Sequence, residues 1–134
     1  MVFLKLQQQA FRRIDMLVNV GSQPDMELES SFSFSMDYND TNTQCVARLN
    51  YDIHMKDEPD KLKAVVECFG VYSCQGIEKE EDKKLAHVQA YQLLFPYVQG
   101  MIAHLMVSAG MPALMVEMMQ LSTDDIVLNS QLPQ

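Results

Sequence analysis

The strictest constraint in this chain is an alternation. Met26, Leu28, Ser30, Phe32, Phe34, Met36 and Tyr38 occupy every second position, with Glu27, Glu29, Ser31, Ser33, Ser35 and Asp37 between them. Successive side chains of a strand point to opposite faces, so a period of two marks a strand with one dry face and one wet face. Cys45, Ala47, Leu49, Tyr51, Ile53 and Met55 repeat the pattern, with Arg48, Asn50, Asp52 and His54 opposite. Lys61 to Cys74 is a third run, richer in β-branched and aromatic residues on both faces. Phe3 to Val18 is less regular and reads as a strand bent near Arg12-Arg13. Turn residues separate the runs at Gly21 to Asp25, Asn39 to Asn42 and Lys56 to Asp60. Short connections favour antiparallel neighbours. The first half is therefore expected to be a four-stranded antiparallel meander over about residues 2–75.

After Gly76-Ile77-Glu78 the pattern changes. Glu80, Glu81 and Asp82 suit the start of a helix, where the dipole favours acids. Good helix formers follow, and the helix is expected over about 80–109, kinked at Pro96 and stopped by Gly110-Met111-Pro112. From Leu93 on it is apolar around nearly its whole circumference. A helix of that kind is buried on all sides, and one sheet covers only one side, so a second subunit is expected to cover the rest. Residues 111–121 read as an apolar loop. Ser122-Thr123-Asp124-Asp125 looks like a cap before a short C-terminal helix at Ile126-Val127-Leu128, followed by a tail to Gln134.

A length of 134 residues suits one domain, 1–134, with a core of its own. The formal net charge of -8 argues against nucleic acid and against an anionic membrane surface as partners. The longest apolar stretch, Leu93 to Val107, is too short to span a membrane, and the N-terminus lacks the shape of a signal peptide. Three cysteines without metal spacing do not describe a secreted disulfide scaffold. The cytoplasm is the expected location.

Chemistry-bearing motifs are missing. His54, His87 and His104 form no zinc pattern. Cys68 and Cys74 share a strand face and read as small buried hydrophobes, since no basic residue lies near enough to activate a thiolate. No GxSxG, P-loop or GxGxxG occurs. No catalytic residue, cofactor or metal ligand is expected. The acids from Glu78 to Asp82 read as a solvated helix start.

Methionine is the other asymmetry. Six of the 11 methionines follow residue 100, and no Lys or Arg follows Lys84. Methionine fills cores, yet the segment from Met111 to Leu121 follows a helix stop, and loops ordinarily prefer solvent. Flexible methionines also line surfaces that bind many partners.

The run Leu94-Phe95-Pro96-Tyr97 inside a long helix, then Ile102, Leu105 and Gly110-Met111-Pro112, resembles the SecB family of export chaperones. So do Gly70 to Glu78, a strand leaving through Gly-Ile-Glu into that helix, and Phe11-Arg12-Arg13-Ile14 on the first strand. The resemblance implies an α+β, SecB-like fold: a four-stranded antiparallel sheet with one long helix packed on it. It implies a homotetramer, a dimer of dimers with helices sandwiched between sheets. It implies ATP-independent holding of unfolded polypeptide clients in a groove between the helix and the crossover loop. Phe69, Tyr72, Met111, Leu114, Met115, Val116, Met118 and Met119 would line that groove. Ala64, Val66, Cys68, Phe95, Tyr97, Ile102 and Leu105 would support subunit association. In the family, acids on the sheet dock the SecA motor. The matching positions here are Val18, Ser22 and Val65, none acidic, and the loop stretch from Leu114 to Leu121 lacks the proline usual in the family. Such a mixture fits a chaperone dedicated to one client, such as an antitoxin. Two other classes stay open on sequence: an assembly oligomer without chaperone activity, and an enzyme or carrier using the concave sheet face.

Overall fold

The computed structural model describes residues 1–19, 27–119 and 121. Met26, the expected turn at Gly21 to Asp25, and the expected C-terminal helix and tail lie outside the described residues. Four strands, β1 (Phe3–Val18), β2 (Leu28–Tyr38), β3 (Gln44–Met55) and β4 (Leu62–Gln75), precede one helix, α1 (Glu80–Ser108).

The alternation governs β2 and β3. They pair without a break from Leu28 opposite Met55 to Tyr38 opposite Cys45. Asn39 closes the hairpin, its Oδ1 accepting from the backbone amides of Thr43 at 2.9 Å and Gln44 at 3.0 Å. Asn42 takes the left-handed conformation, φ 55°, that asparagine tolerates. β4 then pairs antiparallel with β3.

The expected meander ends there. The sheet order is β1-β4-β3-β2, so β1 lies beside β4 and not beside β2. This is a Greek-key arrangement. Its physical reason is ladder length: β1 has 16 residues, β4 has 14 and β2 only 11. Pairing along β4 satisfies more of the backbone of β1 than pairing along β2 would.

Two single-residue bulges explain the irregular reading of β1. The register against β4 shifts between Leu6 and Gln8 and again between Phe11 and Arg13. Each bulge adds one residue and resets the parity of the strand. The residues facing the core are therefore Leu4 and Leu6, then Gln9 and Phe11, then Ile14, Met16 and Val18. One bulge falls at Arg12, where the bend was expected. The other, at Gln7, carries no turn residue to announce it.

α1 lies across one face of the sheet. Ala86, Ala90, Leu94, Val98, Ile102 and Met106 recur every fourth residue, and with Tyr91 and Phe95 they are buried. Opposite them stand Leu49 and Tyr51 of β3 and Val66, Cys68 and Tyr72 of β4, also buried. Two close contacts set the depth of the helix. The hydroxyl of Tyr72 donates to the carbonyl of Ala90 at 2.8 Å. Gly70 leaves room above the sheet: a Cβ there would stand 3.0 Å from both Leu94 and the Tyr72 ring. Pro96 lies inside α1, which continues through it to Ser108.

Both ends of the helix are closed. Asp82 accepts from the backbone amides of Glu78 at 3.0 Å and Lys79 at 3.1 Å, and these bonds hold its carboxyl below the usual range. At the other end Gly110 has φ 80°, its amide donates to Val107, and the amide of Met111 donates to Met106. That is a Schellman motif, with Met111 folded back toward buried Met106.

Two outcomes follow. Tyr72→Phe should lower stability to urea by about 1 kcal/mol, because the Ala90 carbonyl keeps only its helical donor. A lowered carboxyl pKa contributes stability above the unfolded value that is lost as pH falls through the folded value. Asp82→Asn should therefore flatten the acid limb of a urea midpoint measured against pH.

Candidate functional site

The chain leaves the Schellman turn and runs back along α1 as an extended strip, Met111 to Met119. Its burial alternates: Leu114 and Met118 are half-buried and Val116 is 6% exposed, while Met115 is 68% and Met119 61% exposed. An extended chain with one anchored face has this period of two. The anchors are polar and apolar. Gln99 Nε2 donates to the carbonyl of Val116 at 2.8 Å. Val116 joins the core, and Met111, Leu114 and Met118 pack against it. Further back, the buried Tyr91 hydroxyl lies at the backbone of Met119 without a well-formed hydrogen bond. Tyr91 itself stacks on Phe32 of the edge strand β2, ring centroids 5.4 Å apart. The strip thus occupies the side of the helix next to β2.

The outward side of the helix remains open. Leu93, Tyr97 and Val107 are exposed, Tyr97 by 45%, and Gly100 between them has nothing near the position of a Cβ. Met101 and Leu105 are half-buried. From Leu85 to Val116 the sequence holds no Asp, Glu, Lys or Arg. His87 stays neutral at ordinary pH, since burial pushes its pKa down, and it meets the Phe34 ring edge-on at 4.9 Å. The open helix side is thus an apolar surface free of fixed charge, and the outward face of the strip carries one, the exposed Glu117 between Met115 and Met119.

The expected groove lining divides. Met115 and Met119 reach solvent, and Met111, Leu114 and Met118 do so in part. Val116 points inward as an anchor. Tyr72 is wholly buried under α1, and Phe69 stands on the opposite face of the sheet. Grouping those two is corrected by parity alone, since residues three apart on a strand face opposite ways. The expected subunit contacts divide too. Ala64, Val66, Cys68, Phe95 and Ile102 are 0–1% exposed beneath the chain's own layers, so another subunit cannot reach them. Only Tyr97 and Leu105 remain accessible. Of the positions compared with the family's SecA-docking acids, Val65 lies on the open sheet face, Val18 turns toward the core, and Ser22 lies outside the described residues.

Catalytic chemistry finds little support. The three thiols are buried and free, and burial raises Cys45, Cys68 and Cys74 away from thiolate. Cys74 meets Cys45 at 3.1 Å across the β3–β4 ladder, a proximity that spacing within one strand does not reveal. The open sheet face holds a hollow of 370 Å³ with Arg13, Asn50, Asp52 and Glu67 in its lining. Near it His54 Nδ1 lies 3.0 Å from Asp52 and its Nε2 3.7 Å from Glu29. Period two puts Asp52 and His54 on one face, and the strand brings the two side chains into contact. No hydroxyl or thiol among the described residues hydrogen-bonds that histidine. Among the described residues no group of three His, Cys, Asp or Glu could hold a metal ion, and no helix is long and apolar enough to cross a membrane.

Comparison with known proteins bears on this geometry. The sequence matches the family described as preprotein translocase subunit SecB over residues 11–123. No curated protein sequence matches the chain. Among solved structures, the Mycobacterium tuberculosis SecB-like chaperone Rv1957, in complex with a ChAD peptide from the Rv1956 HigA1 antitoxin, superposes with a TM-score of 0.68. The two share 17% sequence identity, over 87% of this chain and 88% of that one.

The anchoring of the strip is testable. Gln99→Ala should raise amide hydrogen exchange of residues 114–118 on the order of fivefold, the loss of one hydrogen bond, with little change in global unfolding.

Proposed function

The chain belongs to the SecB family, and on that premise we propose that it is an ATP-independent holdase that keeps unfolded polypeptides from aggregating. One observation carries the reading. The outward methionines of the strip and the outward side of α1 are apolar, no fixed charge occurs from Leu85 to Val116, and Glu117 is the one charge between Met115 and Met119. An unfolded segment offers apolar side chains of no fixed shape, and methionine, unbranched and polarisable, adapts to them. Met115 and Met119 are the contacts, with Met111, Leu114 and Met118 filling in as the client presses on the strip. Binding of this kind draws on apolar burial alone and needs no nucleotide.

The helix side has a second occupant in this proposal. Leu93, Tyr97, Leu105 and Val107 are covered by further copies of the chain, giving a dimer of dimers with helices between sheets. Each protomer then keeps its strip at the edge of the assembly. The client is a dedicated one more than the general export load. The antitoxin peptide in the complex of the M. tuberculosis protein is the model for its class, and Val65 stands where a docking acid for SecA would serve export.

Purified protein without nucleotide should delay aggregation of a chemically unfolded client, followed by light scattering. Met115→Asp with Met119→Asp should weaken that effect by on the order of tenfold in the concentration required, since two apolar contacts are replaced by charges. Tyr97→Asp should instead reduce the assembly size seen by sedimentation. A wild-type protein that leaves aggregation unchanged would sink the holdase reading and favour an assembly protein with the same fold.

A further inference from the structure

The sheet face turned away from the helix carries a side-chain group that the strip and the helix do not use. There Phe69 stands with two guanidinium groups over its ring, Arg12 at 5.4 Å and Arg48 at 5.6 Å from the centroid. The ladder places them. Arg48 is directly opposite Phe69 in the β3–β4 pairing. Arg12 is the extra residue of the second bulge in β1, and a bulge re-aims its side chain. Stacking on a ring holds each guanidinium plane in place and leaves its N–H groups free to donate.

Both arginines are exposed, and neither makes an ion pair or a side-chain hydrogen bond among the described residues. Several acids of this face are engaged elsewhere: Asp15 with Arg13, and Asp52 with His54 and Lys63. The floor beside the arginines is made by Ala10, Val46 and Val71, with Val46 exposed, and Gln8 and Asp37 flank the two valines across the ladder. In a chain of net charge -8 with only 10 Lys and Arg, two cations without an acid partner among the described residues share one stretch of the open sheet face.

We propose that Arg12, Phe69 and Arg48 form a docking site for an acidic, partly apolar segment of a partner polypeptide. Carboxylates of the segment take the two guanidinium forks, where charge-assisted and bidentate hydrogen bonds are strongest. Its apolar side chains lie on Val46 and Val71. The site is on the opposite side of the sheet from the strip, so it can act while a client is held. The protein's net charge repels acidic peptides at long range, so any preference for one must come from local contacts.

Fluorescence polarisation tests this with three labelled peptides, alternating Glu-Leu, Gln-Leu and Lys-Leu. The Glu-Leu peptide should bind at least about tenfold more tightly than the Gln-Leu peptide, weakening as salt rises. Arg12→Ala with Arg48→Ala should remove that preference, Arg48→Lys should reduce it, and Met115→Asp with Met119→Asp should leave it intact. Circular dichroism checks that each variant folds. Equal binding of the Glu-Leu and Gln-Leu peptides would overturn the proposal. So would a single-stranded oligonucleotide that outcompetes the Glu-Leu peptide, or arginine variants that change only the protein's own sedimentation.

Discussion

A helix and the start of the strip without a fixed charge from Leu85 to Val116 must be covered, and one sheet covers only one side of them. The rest of the architecture answers that constraint in layers. Tyr72 and Gly70 let α1 sit deep on β4, with the Tyr72 hydroxyl bonded to the Ala90 carbonyl. The Schellman turn at Gly110 then sends the chain back, so that Val116 and its neighbours cover the side next to β2. What stays uncovered is the outward row through Leu93, Tyr97 and Val107 and the outward methionines of the strip. Exposed apolar surface of this kind marks a candidate interaction site.

The two faces of the sheet divide the labour. The helix face is a dry core in which buried thiols and tyrosines have their charged forms suppressed. The open face is wet and carries the ionisable groups that sheet pairing brings together, Asp52 with His54 at one place and Arg12 with Arg48 around Phe69 at another. On the proposed reading, apolar clients and charged partners would occupy separate surfaces of one small domain, on opposite sides of the sheet.

Much of this was legible in the residues. Strict alternation located β2 and β3, and the apolar run with its Gly-Met-Pro stop located α1. β1 was hidden by its bulges, since an inserted residue breaks the period without any change in composition. Strand order was misread because short connections point to a meander, whereas the length of β4 made it the better partner for β1. The site was legible by composition and not by geometry. A methionine-rich segment after a helix stop was recognised as a surface, but its inward and outward residues depend on how the strip is anchored by Gln99 and Tyr91. Phe69 and Tyr72 could have been separated by parity alone. The meeting of Cys45 with Cys74 and of Arg12 with Phe69 depends on register across strands, which alternation within one strand does not report.

The central claim is that clients are held on the outward methionines of the strip. Methionine methyl groups, 11 in this chain, report on it directly when labelled with carbon-13 and observed by NMR. Addition of a saturating unfolded client should shift or broaden the Met115 and Met119 signals most, with smaller changes at Met111 and Met118. Met36 and Met55, buried in the sheet core, should stay in place. Signals of Met115 and Met119 that do not move while the client is bound would contradict the account.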